Sequence, residues 1–208
     1  MSNMVDPLVA QIAARIRVER ERRRWTLAQL ADASGVSRAM IHRIERGESS
    51  PTAAILGKLS AAFQLSVSSL FALAEGAAEA PADAPDAASP DGESEPGGVR
   101  RRGDAAQWTD PATGYRRRQI TGLSFPTEVA EIRLPAGARV PYPAAAFAFL
   151  RQVVWVIDGH LTFHEGDEVH ELDAGDTIEL GEPSPRVFAN TSAAECRYAV
   201  ILARGTRP

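Results

Sequence analysis

One cysteine, Cys196, stands in a chain of 208 residues, which excludes a framework of internal disulfides. The opening stretch, MSNMVDPLVAQIAARIRVER, lacks the apolar run of a secretory leader, so both observations predict a reducing cytoplasm. Long apolar runs are missing as well. The best candidate, AAAFAFLRQVVWVI, is broken by Arg151 and Gln152, well short of the roughly 18 apolar residues a membrane-spanning helix needs. Residues 75–99 lack any Lys or Arg while holding seven Asp or Glu, and EGAAEAPADAPDAASPDGESEPGG (75–98) has no aromatic or large aliphatic side chain. So little apolar surface cannot offset the entropy of ordering the stretch. It predicts a flexible, acidic, self-repelling linker over residues 75–103.

What is present divides around that linker. Before it, apolar residues recur at helical spacing; after it, they mostly alternate between short Gly, Pro and Asp turns. The length suits two modest domains, each with its own core. The reading is a multidomain chain: an all-α five-helix domain over 7–74, the linker, and an all-β jelly-roll barrel over 104–208. A net charge of −4 hides an asymmetry, because residues 1–74 carry ten Lys or Arg against six Asp or Glu. The field that a polyanion feels is local, so the N-terminal block is the one suited to nucleic acid.

Five helices are predicted there. The first runs from about Pro7 to Arg23 and buries Leu8, Ile12, Ile16 and Val18. Thr26, with Gln29 three residues on, forms a capping box for the second, to about Ala33. Gly35 supplies a residue able to take positive φ in a tight turn. Ser37 caps the third helix, which ends at Gly47 with Ile41 and Ile44 inward; Thr52 caps a fourth through Phe63, and SVSSLFAL is a short fifth. Two short helices joined by a three- or four-residue Gly turn can set one helix across a phosphate backbone and the next in a major groove.

The order T-x-x-x-L-A, G-V-S and I-x-R-x-E-x-G within TLAQLADASGVSRAMIHRIERGESSPT resembles the lambda-repressor-like helix-turn-helix of XRE-family transcriptional regulators, over about residues 8–73. The resemblance implies base contacts from Arg38, Ala39 and Arg43, with His42 on the same free face. Arginine bonds guanine bidentately and Ala39 suits a thymine methyl. Ser37, Arg46, Thr26, Ser49 and Thr52 are the expected phosphate contacts. Leu27 departs from the family, in which a contacting Gln is common at that position. Arg20 and Glu45 match positions that form a structural ion pair between the first and third helices. The run ERERRRW (19–25) is read as solvated charge with some nonspecific attraction to DNA.

In the second half, EVAEIRLPAGARV, QVVWVIDGHLTF, DEVHELDAGDTIEL, PRVFANTS and ECRYAVILA read as short strands with turns at Asp158-Gly159 and Gly166-Asp167. LPAGARVP, VVWVIDGHLTF and AGDTIELGEPSPRVFAN together resemble the cupin family over about residues 125–203. Metal cupins hold an ion with a His-x-His pair, a Glu and a later His, and the matching positions here are Pro143, Ala145, Gln152 and Arg186. These are not metal ligands, and no His, Asp or Glu occurs between Arg139 and Ile157. The expectation is therefore a barrel with neither metal nor cofactor. His160 and His164 read as surface residues on one strand, and His170 as a residue without an obvious partner.

An apolar barrel mouth with one cation and one amide suits a small carboxylate, so Arg186, Gln152, Tyr142, Phe149 and Trp155 form the expected effector pocket, with Phe147 among the large rings nearby. The competing reading makes Arg186 structural, paired with an acid such as Glu179 or Glu182. Together these features describe a DNA-binding regulator: double-stranded operator DNA as partner, a homodimer built by the barrel, and a small-molecule effector. The alternatives are a cupin enzyme of isomerase or dioxygenase type fused to a DNA module, or a cupin that only dimerises.

Overall fold

The computed structural model describes residues 7–79, 99, 101–103, 105, 107–122 and 125–204. Its N-terminal half has five helices: α1 (Pro7–Arg22), α2 (Leu27–Ser34), α3 (Arg38–Glu45), α4 (Ala53–Phe63) and α5 (Val67–Glu79). Local chemistry sets their starts. Thr26 and Gln29 close a reciprocal capping box, and the hydroxyls of Ser37 and Thr52 accept from the Met40 and Ile55 amides at 3.3 Å each. Gly35 ends α2 at φ 65°, the left-handed conformation that lets α3 turn away. Ile12, Ile16, Leu30, Ile41, Ile44 and Leu59 meet in a fully buried core.

Three sequence expectations change here. Val18 is 42% exposed, because it falls off the Leu8, Ile12 and Ile16 stripe; Glu19 takes the buried position beside it. That carboxylate pairs with Arg15 and Arg23, while Arg23 also donates to the Phe63 carbonyl. The ERERRRW run is thus partly internal scaffold rather than solvated charge. Arg20 does form the expected pair with Glu45, through two bonds of 2.7 and 2.8 Å. α5 is longer than the short helix expected and continues to Glu79, into the stretch read as linker. Residues 80–98 of that stretch lie outside the described residues.

The C-terminal half is a two-sheet jelly roll. Its strands are β1 (Gln107–Thr109), β2 (Arg116–Gln119), β3 (Thr127–Leu134), β4 (Arg139–Tyr142), β5 (Leu150–Asp158), β6 (His160–Glu165), β7 (Glu168–Asp173), β8 (Thr177–Glu179), β9 (Arg186–Ala189) and β10 (Cys196–Arg204). One sheet has the order β1-β2-β3-β10-β5-β8 and the other β4-β9-β6-β7, with antiparallel pairing throughout. β3 alternates half-buried and buried residues along its whole length, as a sheet with one covered face must. Pro141 sits in β4, an edge strand, where its missing N–H costs no ladder bond. Phe188 of β9 stacks on Tyr198 of β10 at 5.6 Å and packs on Phe163 at 4.9 Å, tying the sheets together.

The two halves are packed together rather than merely tethered. α4 lies against β4 and the short 3-10 turn at Ala144–Phe147, and α5 lies against β2 and β3. Trp108 is buried between Phe71 of α5, at 5.5 Å, and Tyr115, at 6.1 Å. Glu128 of β3 accepts from the hydroxyls of Ser66 and Ser69 at the start of α5. The acidic stretch therefore does not act as the sole link between the halves, which share one continuous apolar core.

Candidate functional site

The free face of α3 is set by its buried one. Ile41 and Ile44 point into the core, so Ser37, Arg38, Ala39, His42, Arg43 and Arg46 fall on the exposed side. Thr26 is exposed at the start of α2, and Ser49 and Thr52 are half-buried in the segment leading into α4. The capping oxygens of Thr26, Ser37 and Thr52 accept from backbone amides, which leaves each hydroxyl hydrogen able to donate. Arg46 is held by Glu48 at 2.6 Å, and Arg43 has only a weak contact, 3.8 Å, to the Met40 sulfur. Arg43 and Arg38 are thus free to reach outward. The bidentate Arg20 to Glu45 pair locks α3 against α1 from behind.

A second concave site, of about 50 Å³, lies where the jelly roll meets α5. Of the five residues expected to form an effector pocket, it brings together two, Gln152 and Tyr142. Phe147 lines it as well, beside Phe188, Tyr198 and Leu202. Trp155 and Phe149 are 45% and 54% exposed and are not among the residues that line it. Arg186 is 1% exposed, but protein acceptors engage its Nε and Nη2. Its Nε donates to Glu165 Oε1 at 2.9 Å, Nη2 donates to the same oxygen and to the carbonyls of Gly181 at 2.9 Å and Glu182 at 3.2 Å, and the guanidinium lies 4.4 Å from the Phe147 ring centre. The structural alternative for Arg186 describes this arrangement, with Glu165 as the acid in place of Glu179 or Glu182. Sequence spacing pointed to nearby acids; the β6–β9 pairing, which sets Glu165 opposite Arg186, brings in a distant one.

The cavity also contains residues that the sequence reading passed over: Ser66, Ser68, Tyr115 and Arg117. Arg117 lies in a run of three arginines, RRRQ, that masks the strand alternation; read with period two, Arg117 and Gln119 face inward. An Asx turn positions Tyr115: Asp110 accepts from the Ala112 amide at 3.1 Å and the Thr113 hydroxyl at 2.7 Å. Burial pushes the Tyr142 and Tyr198 phenols well above their ordinary range, with the neighbouring Tyr115 acting in the same direction and Arg117 opposing it. At pH 7 these phenols are neutral donors. His160 bonds Asp173 at 2.8 Å and Glu171 at 2.7 Å on the jelly-roll surface, and His170 stacks on Phe163 at 6.3 Å while its Nε2 makes no hydrogen bond with a described residue. Among the described residues no cluster of three or more His, Cys, Asp or Glu is disposed to hold a metal ion.

Comparison with known proteins resolves the N-terminal half. Residues 16–70 match the family model described as helix-turn-helix. The chain is 58% identical over 40 residues to the HTH-type transcriptional regulator SutR of Escherichia coli (strain K12), covering 19% of this chain and 22% of that protein. It is 44% identical over 64 residues to the competence pilus inhibition repressor of Acinetobacter baylyi, covering 31% of this chain and 58% of that one. The chain thus spans between a fifth and three fifths of the length of these curated relatives. The crystal structure of an HTH_3 family transcriptional regulator from Vibrio cholerae superposes with a TM-score of 0.71 at 22% identity, over 96% of this chain and 99% of that one. That likeness in fold extends beyond the helix-turn-helix to the sheet-rich half. No helix among the described residues is long and apolar enough to cross a membrane.

Proposed function

We propose that this protein is a cytoplasmic, sequence-specific DNA-binding transcriptional regulator, a homodimer whose jelly roll pairs the subunits and senses a small molecule. One observation carries the reading: the exposed face of α3 presents Arg38, Ala39, His42 and Arg43 on a helix that follows a left-handed glycine turn and is locked by the Arg20 to Glu45 pair. Arg38 and Arg43 would read guanine edges and Ala39 a thymine methyl. Ser37, Arg46, Thr26, Ser49 and Thr52 would hold phosphates and fix the register. The names of the two curated relatives, a transcriptional regulator and a repressor, support the same class. The jelly roll is assigned no catalysis. A dimer fits because one short reading helix discriminates weakly, while two linked heads on two half-sites gain from high effective concentration.

The test is a gel-shift titration of the full chain on an operator selected from random duplexes. Arg38→Ala and Arg43→Ala should each weaken specific binding by about 1–3 kcal/mol, roughly 5- to 150-fold, with the helical circular dichroism unchanged. Specific binding that survives both substitutions at full strength would remove α3 as the reading helix.

A further inference from the structure

Arg117 is a buried cation whose partners do not balance it. It is 5% exposed, and among the described residues no Asp or Glu lies within 4.0 Å of its guanidinium. Its neighbours on β2 behave differently: Arg116 pairs with Glu195, and Arg118 with Glu131 at 3.2 Å. One terminal nitrogen of Arg117 donates to the Ser68 hydroxyl on α5, and the group lies 5.5 Å from the Phe71 ring centre. Its Nε is buried and donates to no described residue. A guanidinium withdrawn from water without a counter-charge costs several kcal/mol, so its retention marks a place where the anion comes from outside the chain. Gln152, across the cavity on β5, is an independent sign. It is 8% exposed, and its side-chain amide makes no hydrogen bond with a described residue.

The rest of the lining sets the ligand class. Val67, Leu150, Val200 and Leu202 give it apolar walls, which favour an anion with a short hydrocarbon tail over inorganic phosphate. Its size is a second constraint. At about 50 Å³ it is one third of the roughly 150 Å³ apolar cavity that accepts benzene, so it suits an acid of a few heavy atoms.

We propose that this cavity is a binding site for a small monocarboxylate, with Arg117 as its counter-ion, Gln152 as its second polar contact, and Ser68 as the protein group that competes with it for the guanidinium. Ser68 lies in the first turn of α5, and α5 packs on α1 of the helix-turn-helix. A carboxylate that takes over the Arg117 donors loosens the bond joining β2 to α5, and so changes how firmly the DNA-reading half is held. This coupling, unlike the binding itself, rests on the regulator reading above.

The full chain is titrated with sodium propionate, with propionamide as the uncharged isostere and with sodium phosphate, at constant ionic strength, by calorimetry and thermal shift. Propionate should give a saturable heat of binding and a melting temperature that keeps rising with its concentration, neither of which the other two produce, since a ligand of the native state stabilises by RT ln(1 + [L]/Kd). Arg117→Gln should weaken propionate at least tenfold. Ser68→Ala, which removes a competitor without touching the cation, should tighten propionate several-fold, and it keeps the proposal open to refutation if the Arg117 variant fails to fold. No saturable response to propionate, an equal response to propionamide, or unchanged propionate affinity in Ser68→Ala each overturns the site, whether or not the chain binds DNA. Saturable propionate binding in a chain that binds no duplex supports the site and sinks the regulator reading instead. Operator affinity that propionate leaves unaltered, in a chain that binds both, overturns the coupling.

Discussion

Gly57 of α4 faces the Tyr142 ring so closely that a Cβ built on it falls 2.5 Å from Cδ1 and 3.0 Å from Cε1. Two opposing effects meet at this residue. Alanine in a helix interior gains about 1 kcal/mol over glycine, while forcing a ring out of a packed interface costs about 1–3 kcal/mol. The ring is rigid, and edge-on contacts to Phe147 at 6.2 Å and Phe188 at 5.9 Å hold it in place, so the second effect should win. Gly57→Ala is expected to lower the melting temperature of the full chain. A rise in thermal unfolding experiments would mean that Tyr142 yields freely. Arg186 and Arg117 make a complementary point at the same scale: one has its acid across a strand pair and is scaffold, while the other lacks one and is a candidate for binding.

At the scale of elements, the β6–β7 hairpin carries a titratable clasp. His160 stands opposite Asp173 in the register, and hydrogen bonds to Asp173 first and Glu171 second raise its imidazole pKa above the ordinary value. The fold therefore favours the protonated form. The resulting stabilisation is fully present below the unfolded value of about 6.5 and is lost as pH rises through the raised native value. Because the site is mostly solvated, the effect is small. Denaturant unfolding of wild type and His160→Gln should differ most near pH 6 and converge by pH 9; a gap that widens with pH would contradict the assignment. Helix caps show the same economy at a different site. Thr26, Ser37 and Thr52 each start a helix through a bond visible in the local sequence, and the same three residues fall along the proposed DNA face.

For the molecule as a whole, the contact between the halves decides how a signal can pass. Trp108 wedged against Phe71, Glu128 on Ser66 and Ser69, and Arg117 on Ser68 all meet near the beginning of α5. A rod fixed at that end transmits a change in the cavity more directly than a linker would. The proposed dimer requires a self-complementary surface, and the exposed Trp155 and Phe149 on and beside β5 offer large apolar area for it. Sedimentation of the full chain at micromolar concentration should show twice the chain mass, and Trp155→Glu should shift it toward monomer. A wild-type chain that sediments only as monomer would remove the paired reading heads.

The primary sequence by itself determined what depends on near neighbours: the capping box at Thr26, the turn at Gly35, the Ile41 and Ile44 stripe that leaves Arg38 and Arg43 outside, and the strand alternation of the second half. These are legible because residues a few positions apart settle a helix end, a turn or a face. Only the tertiary structure decided which charge is satisfied and which is not. Glu165 reaches Arg186 through strand pairing, Phe149 and Trp155 turn outward, and Arg117 is sealed beneath α5 by residues about fifty positions away. Burial and pairing sum contacts over the whole chain, so no local window of sequence contains them.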